Sequence, residues 1–230
     1  MPTDTPRPEF LAQARAGLYG TACRVDRALL AAGADGPVDG ATLREIVAPL
    51  LGYAELVDSA TRSHVYRVGD SAEAVGLALG WDREAALLLR LAAQLHDLGK
   101  VGVPEAVLEK AGPLTPEERA AVELHTVLGG TLFGNCRSPL LRMAQEVARS
   151  HHEHWDGTGY PLGLAGDDIP QAARIVAVAD VFDALTHARP YRPPLPRPRA
   201  MEMIAEGRGT HFDPGVVDAF LRLHEAAACA

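Results

Sequence analysis

From about residue 58 onward, apolar residues recur at the three- and four-residue spacing of amphipathic helices. The pattern runs through VYRVGDSAEAVGLALGW, DREAALLLRLAAQLHD and LLRMAQEVARSHHE, and IPQAARIVAVADVFDALTHAR is apolar enough to predict a largely buried helix. Helix-start signals, each a Thr, Ser or Asp followed by Pro, stand at residues 115–116, 138–139 and 213–214. Because no alternating strand pattern persists, we predict an all-α fold.

The first 57 residues show a weaker version of the same pattern. Two predicted helices flank the break GADGPVDG, and the second opens with Thr42 and Glu45 in capping-box spacing. No cluster of chemically active residues occurs there. We therefore predict a helical segment of unknown role over residues 1–57 and a main domain over residues 58–230.

Composition narrows the range of partners and compartments. The chain has a net charge of −8. This argues against a nucleic-acid polymer as partner, because proteins that bind nucleic acid need a basic face. Its most apolar run contains Arg90 and is too short to span a bilayer, so we expect no membrane segment. Three widely separated cysteines and the absence of a leader-like start predict a cytoplasmic protein.

Histidine and aspartate residues with metal-ligand chemistry fall on separate predicted helices. One His-Asp pair in a core is more often a structural contact, but helical bundles can bring several such residues to one point. Imidazole and carboxylate ligands without thiolate suit Fe, Mn, Co or Zn, and a single carboxylate can bridge two ions. The set that predicts a metal site is His64, His96, Asp97, His125, His151, His152 and Asp180.

Three blocks of the sequence resemble the signature blocks of the HD-GYP family. They are HDLGKVGVP, HHEHWDGTGYPLGLAGDDIP and VADVFDALTHARPYR, and the likeness extends from about residue 58 to about residue 222. Members of this family are metal-dependent phosphodiesterases that act on bacterial cyclic dinucleotides, chiefly cyclic di-GMP. The resemblance implies an HD-superfamily helical bundle that carries a short N-terminal appendage.

The resemblance also implies a role for each matching residue. His64, His96, Asp97 and Asp180 would hold one divalent ion, and Asp97 would bridge to a second ion held by His125, His151 and His152. Iron and manganese are the first expectations, with other transition metals open. Lys100 would act beside Asp97 by contacting the substrate phosphate. Arg189 and Arg192 would grip phosphate and base, and Tyr160 would face the substrate or pack the loop with Pro161.

One departure from the family pattern concerns a third ion. Some members hold it through a glutamate four residues before the first histidine, whereas this chain has Ala60 there. Asp58 and Glu153 are the other candidates for this role, but neither has the required spacing, so we expect a two-ion site. We expect His154, His187, His211 and His224 to be surface or structural residues.

The expected function is hydrolysis of the 3′-5′ phosphodiester bond of cyclic di-GMP by a two-metal mechanism. One alternative is a module that binds a cyclic dinucleotide, or a partner such as a diguanylate cyclase, without turnover. Another is a phosphodiesterase for a different cyclic dinucleotide such as cyclic GMP-AMP. The sequence leaves open the native metal, the final product (pGpG or GMP), the regulatory input and whether the protein forms a homodimer.

Overall fold

The all-α prediction is confirmed by a computed structural model, which describes residues 8–34, 36–57, 62–188 and 193–228. Within these ranges the chain forms helices and no β-strand. Short 3₁₀ helices cover Leu98–Gly102 and Gly166–Asp168. The ten α-helices are α1 (Pro8–Ala32), α2 (Gly40–Val57), α3 (Arg62–Ala78), α4 (Arg83–Ala93), α5 (Glu105–Leu108), α6 (Pro116–Leu132), α7 (Pro139–Ser150), α8 (Gln171–Thr186), α9 (Arg197–Glu206) and α10 (Pro214–Ala228).

A single hydrophobic cluster runs through the helices that carry the candidate ligands. Helix α3 packs on α4 and α8, α4 packs on α7, and α6 packs on α7 and on the first 3₁₀ helix. The cluster consists mainly of Leu, Val and Ala side chains, and Phe133 and Phe220 are fully buried in it. Because these interiors pack as densely as crystals, the bundle holds the polar residues on its inner faces in fixed positions.

The helix starts agree with the sequence signals in the main domain. Thr115 accepts from the Glu118 amide while the Glu118 carboxylate accepts from the Thr115 amide, so the capping box of α6 is present. The predicted capping box at Thr42 and Glu45 is wrong. Asp39 caps α2 instead, because its carboxylate accepts from the amides of Ala41 and Thr42 and from the Thr42 hydroxyl.

Helices α1 and α2 share the hydrophobic cluster with the rest of the chain through residues such as Leu18 and Val47. The buried carboxylate of Asp26 on α1 also accepts hydrogen bonds from the backbone amides of Arg137 and Ser138, where α7 begins. These contacts tie α1 to the main bundle. The division into two units at residue 57 stays a prediction.

The first 3₁₀ helix lies unusually close to α6. A Cβ atom on Gly99 would stand 1.9 Å from the carbonyl oxygen of His125 and 2.6 Å from the amide nitrogen of Gly129. Only glycine fits such a backbone approach. This contact sets the distance between the HD pair (His96 and Asp97), which directly precedes the 3₁₀ helix, and the histidine on α6.

None of the helices in the described ranges combines the length and the hydropathy required of a membrane span.

Candidate metal centre

The seven predicted ligands reach one point from five parts of the fold. His64 lies in the first turn of α3, and α4 ends at Ala93, so the HD pair lies in the turn that follows rather than on the helix. His125 lies on α6 and Asp180 on α8. His151 caps the end of α7 and His152 follows it. The irregular backbone at this helix end lets two adjacent imidazoles approach the same centre.

Asp97 lies between two groups of possible ligands. Its Oδ2 atom is 3.2 Å from His96 Nε2, whereas its Oδ1 atom is 3.3 Å from His125 Nε2 and 3.8 Å from His151 Nε2. Ligand atoms of His64, His96 and Asp97 form one compact group, and those of His125, His151 and His152 form a second. The two oxygens of the Asp97 carboxylate therefore face different groups of imidazoles.

Asp180 completes the first group. Its Oδ1 atom is 3.4 Å from His64 Nε2 and 4.0 Å from His96 Nε2. The carboxylate is largely shielded inside an otherwise apolar helix, where a charge is costly unless it is paired or bound to a cation.

The histidines are held by their Nδ1 atoms, which leaves Nε2 directed at the centre. Nδ1 of His96 donates to the Ala93 carbonyl at 2.7 Å, that of His125 to Val122 at 2.6 Å, and that of His151 to Val147 at 3.0 Å. A hydrogen bond of this kind fixes the tautomer of a metal-binding histidine. In the neutral rings Nε2 then carries the lone pair.

Two observations show that this donor set suits cations. His96 Nε2 and Asp97 Oδ1 are buried and have no hydrogen-bond partner among the described residues. In addition, Nε2 of His125 and of His151 face each other at 3.4 Å with lone pairs on both, an arrangement that a cation would relieve. Unsatisfied buried polar atoms are rare in folded proteins, and nitrogen and oxygen donors without thiolate match transition-metal ions.

The protonation states favour ligation. Burial is the main cause that lowers the pKa of His151 to about 3 and that lowers the pKa of His125 and of His152, so these rings are neutral at pH 7. Burial alone would raise the pKa of Asp97, but Lys100 and His96 hold it well below its ordinary value. Burial opposes a charge on His96, yet Asp97 and Asp180 raise its pKa to about 9, so positive charge is favourable between these carboxylates.

Asp183 and Arg67 belong to the centre although the sequence analysis did not single them out. Asp183 Oδ2 accepts from His64 Nδ1 at 2.7 Å and from Arg67 Nη2 at 2.9 Å, and its Oδ1 accepts from Arg67 Nε at 2.5 Å. Burial raises the pKa of Asp183, but the bonds from His64 and Arg67 outweigh this and lower it to about 2. The one sequence feature that indicates Asp183 is its position three residues after Asp180, on the same predicted helix.

The predicted substrate residues divide into two groups. The Lys100 ammonium contacts Asp97 Oδ2, and the Tyr160 ring stacks on His152 with centroids 4.8 Å apart and an interplanar angle of 27°. Both therefore lie beside the centre. Arg189 and Arg192 lie outside the described residues, as does Ala60.

The segment of residues 154–166, here the GYP loop, forms one wall beside the centre. The Tyr160 amide donates to the His152 carbonyl at 3.1 Å. A Cβ atom on Gly159 would stand 2.2 Å from the amide nitrogen of His154, so this position requires glycine. The buried Glu153 does not point at the clustered ligand atoms but accepts hydrogen bonds from the loop.

The four histidines without a predicted ligand role, His154, His187, His211 and His224, belong to neither of the two ligand groups. The rings of His154 and His211 are in contact, with centroids 4.0 Å apart and an interplanar angle of 46°; His187 contacts the Asp183 carboxylate, and His224 packs on Phe220. The contact between His154 and His211 joins the GYP loop to the turn before α10, where the Trp155 amide also donates to the His211 carbonyl.

Known proteins share this sequence pattern and fold. The protein-family model described as "HD domain" matches residues 49–216. A cyclic di-GMP phosphodiesterase of Thermotoga maritima is 40% identical over 183 residues, which make up 80% of this chain and 50% of that protein. A 3′3′-cGAMP-specific phosphodiesterase 2 of Vibrio cholerae is 38% identical over 180 residues, which make up 78% of this chain and 34% of that protein.

Among solved structures, Bd1817, a HDG"Y"P protein from Bdellovibrio bacteriovorus, matches with a TM-score of 0.59 at 19% identity. The match covers 97% of this chain and 75% of that one, and at this identity it bears on the fold alone. This chain spans half or less of the length of the two curated relatives. The family match over most of the chain, together with the HD and GYP motifs, establishes that the chain belongs to the HD domain family and to its HD-GYP branch.

Proposed function

We propose that this chain hydrolyses the 3′-5′ phosphodiester bond of cyclic di-GMP with the help of two divalent metal ions. The observation that carries the proposal is the position of Asp97, whose two carboxylate oxygens face separate groups of imidazoles. The name of the Thermotoga maritima relative, a cyclic di-GMP phosphodiesterase, supports the substrate.

The residues for both ions are present. His64, His96 and Asp180 would hold one ion, His125, His151 and His152 would hold the other, and Asp97 would bridge them. Iron or manganese suits this set of imidazoles and carboxylates. Such ions would polarise the phosphoryl oxygens and would lower the pKa of water, so that hydroxide is available as a nucleophile near neutral pH.

The chain itself supplies charge and orientation around the substrate. Lys100, which contacts Asp97, would stabilise the negative charge that develops on a phosphate oxygen during the reaction. Tyr160, which lies flat on His152, offers an apolar face for a purine base beside the centre. We further propose that Arg189 and Arg192 contact the phosphate and the base of the substrate. The family resemblance implies that members with a third ion more readily complete hydrolysis to GMP. Because Ala60 offers no ligand for such an ion, we expect pGpG to accumulate before GMP.

Chromatography of the reaction products tests this function. Protein loaded anaerobically with Fe²⁺, or loaded with Mn²⁺, should convert cyclic di-GMP to pGpG, whereas Asp97→Ala should show no turnover while retaining its helical circular dichroism. The exposed Asp218→Asn serves as a matched control and should behave as the parental protein. Parental activity in Asp97→Ala, or no turnover by the fully loaded parental protein, would contradict the proposal.

A second candidate substrate is 3′3′-cGAMP. The Vibrio cholerae relative with that specificity in its name is nearly as similar to this chain as the Thermotoga maritima relative. The two substrates share the phosphodiester backbone and differ in one base, so the metal centre does not discriminate between them. The ratio of kcat/KM for cyclic di-GMP and 3′3′-cGAMP decides this point, and we expect it to favour cyclic di-GMP.

A further inference from the structure

Glu153 directly follows the two adjacent histidines, yet its carboxylate is not used at the centre. The residue is 3% exposed. Its Oε1 atom accepts from the Leu162 amide at 2.7 Å and its Oε2 atom accepts from the Leu164 amide at 3.0 Å. Neither group of clustered ligand atoms in the described ranges includes Glu153. A buried carboxylate needs such charge-assisted bonds, and these two come from the GYP loop.

These two bonds hold the part of the GYP loop that follows Tyr160. Leu162 and Leu164 flank Gly163, which has a φ of +66°, so the chain turns sharply around the carboxylate. On the other side of the tyrosine, its own amide donates to the His152 carbonyl. Hydrogen bonds thus hold the backbone at Tyr160 and directly after it. The first ends on His152 and the other two end on Glu153, the next residue in the chain.

We propose that Glu153 is a positioning residue that acts on substrate binding through Tyr160. It holds the GYP loop so that the Tyr160 ring lies on His152, and it does not serve as a ligand for a third ion. The inference rests on the proposed function because Tyr160 is taken to contact the nucleotide. It predicts a change in KM with little change in kcat, since the metal ligands and Lys100 stay in place.

The test compares Glu153→Gln with Glu146→Gln and Tyr160→Ala. Glutamine can accept from one loop amide, but its NH₂ group would face the other, whereas Glu146 is exposed on α7 and provides the same chemical change away from the loop. Three quantities are measured on protein loaded with Mn²⁺: bound metal per chain, hydrogen exchange at the Leu162 and Leu164 amides, and kcat and KM for cyclic di-GMP.

We expect Glu153→Gln to keep the parental metal content, to exchange both amides faster and to raise KM about tenfold, the scale for losing one charge-assisted hydrogen bond. Glu146→Gln should match the parent in all three measurements. Tyr160→Ala should raise KM similarly, and combining it with Glu153→Gln should add little, because both changes remove the same contact.

Loss of bound metal in Glu153→Gln would overturn the proposal and make Glu153 a ligand. Unchanged exchange, or a fall in kcat with KM unchanged, would also overturn it. Should Glu153→Gln fail to fold, Glu153→Asp provides the same measurements with the charge retained and the reach shortened. If the parental protein turned over no cyclic dinucleotide, the proposed function would fail, while exchange and metal content would still decide the role of Glu153.

Discussion

In the proposed two-ion centre, replacing Asp183 with asparagine should weaken the binding of one metal ion and leave the binding of the other unchanged. In the structure Asp183 Oδ2 accepts from both His64 and Arg67. An asparagine has one accepting atom and no charge, so it can keep the bond from His64 only by turning its NH₂ group towards Arg67 Nε. Either way, His64 loses the carboxylate that sets its tautomer and orientation. Removal of such a partner costs about 10- to 100-fold in metal affinity, or about 1.4 to 2.7 kcal/mol.

The expected effect is asymmetric because His64 belongs to only one of the two ligand groups. Titration with Mn²⁺, followed by equilibrium dialysis and elemental analysis, should give two tightly bound ions per chain in the parental protein and one in Asp183→Asn. Asp218→Asn is the matched control, because Asp218 also pairs through both oxygens with an arginine, Arg208, but on the surface. An equal loss of affinity for both ions, or no loss of affinity for either, would refute the assigned role of Asp183.

Three further predictions concern the bundle around the centre. Gly99→Ala should lower the free energy of unfolding by about 1–3 kcal/mol or more, measured by urea denaturation, because its Cβ would collide with the α6 backbone. Asp26→Ala should cost about 1–3 kcal/mol in the same assay, because the amides of Arg137 and Ser138 lose their acceptor. Metal-free protein should lose thermal stability as pH falls from about 6.5 towards 4. Burial lowers the pKa of His211, beside His154, to about 4, so the unfolded chain takes up a proton there that the fold rejects.

Each of these predictions has its own control. Gly112→Ala introduces a Cβ into open space and should leave unfolding unchanged, so equal effects at the two glycines would contradict the close approach. An Asp26→Ala protein as stable as the parent would show that α1 is not tied to α7 by this carboxylate. His211→Asn should reduce the dependence of the melting temperature on pH between 6.5 and 4 by the share of one proton, because the buried His125, His151 and His152 supply the rest. An unchanged slope would remove His211 as a contributor.

The convergence of the candidate ligands could be predicted from the sequence because their chemistry and their placement agreed. Buried helices rarely carry charge. Asp180 in one apolar run and the HD pair at the end of another therefore already indicated a shared polar centre. The structure brings these residues together as expected. The sequence pattern did not reveal that the HD pair lies beyond the end of α4, because apolar spacing does not define a helix end without a cap signal.

The residues that orient the centre were harder to predict. Asp183 and Glu153 are carboxylates near histidines, and sequence spacing does not tell a ligand from a residue that accepts hydrogen bonds behind it. The distinction depends on where each oxygen points: towards His64 and Arg67 in one case, and towards two loop amides in the other. The cap of α2 was misassigned for a similar reason, because Asp39 and Thr42 both suit the role.

Anomalous diffraction from crystals loaded with Mn²⁺ tests the central claim most directly. If Asp97 bridges two ions, the map should show two peaks on opposite sides of its carboxylate. One peak should lie among His64, His96 and Asp180, and the other among His125, His151 and His152. A single peak, or peaks that do not contact Asp97, would contradict the account.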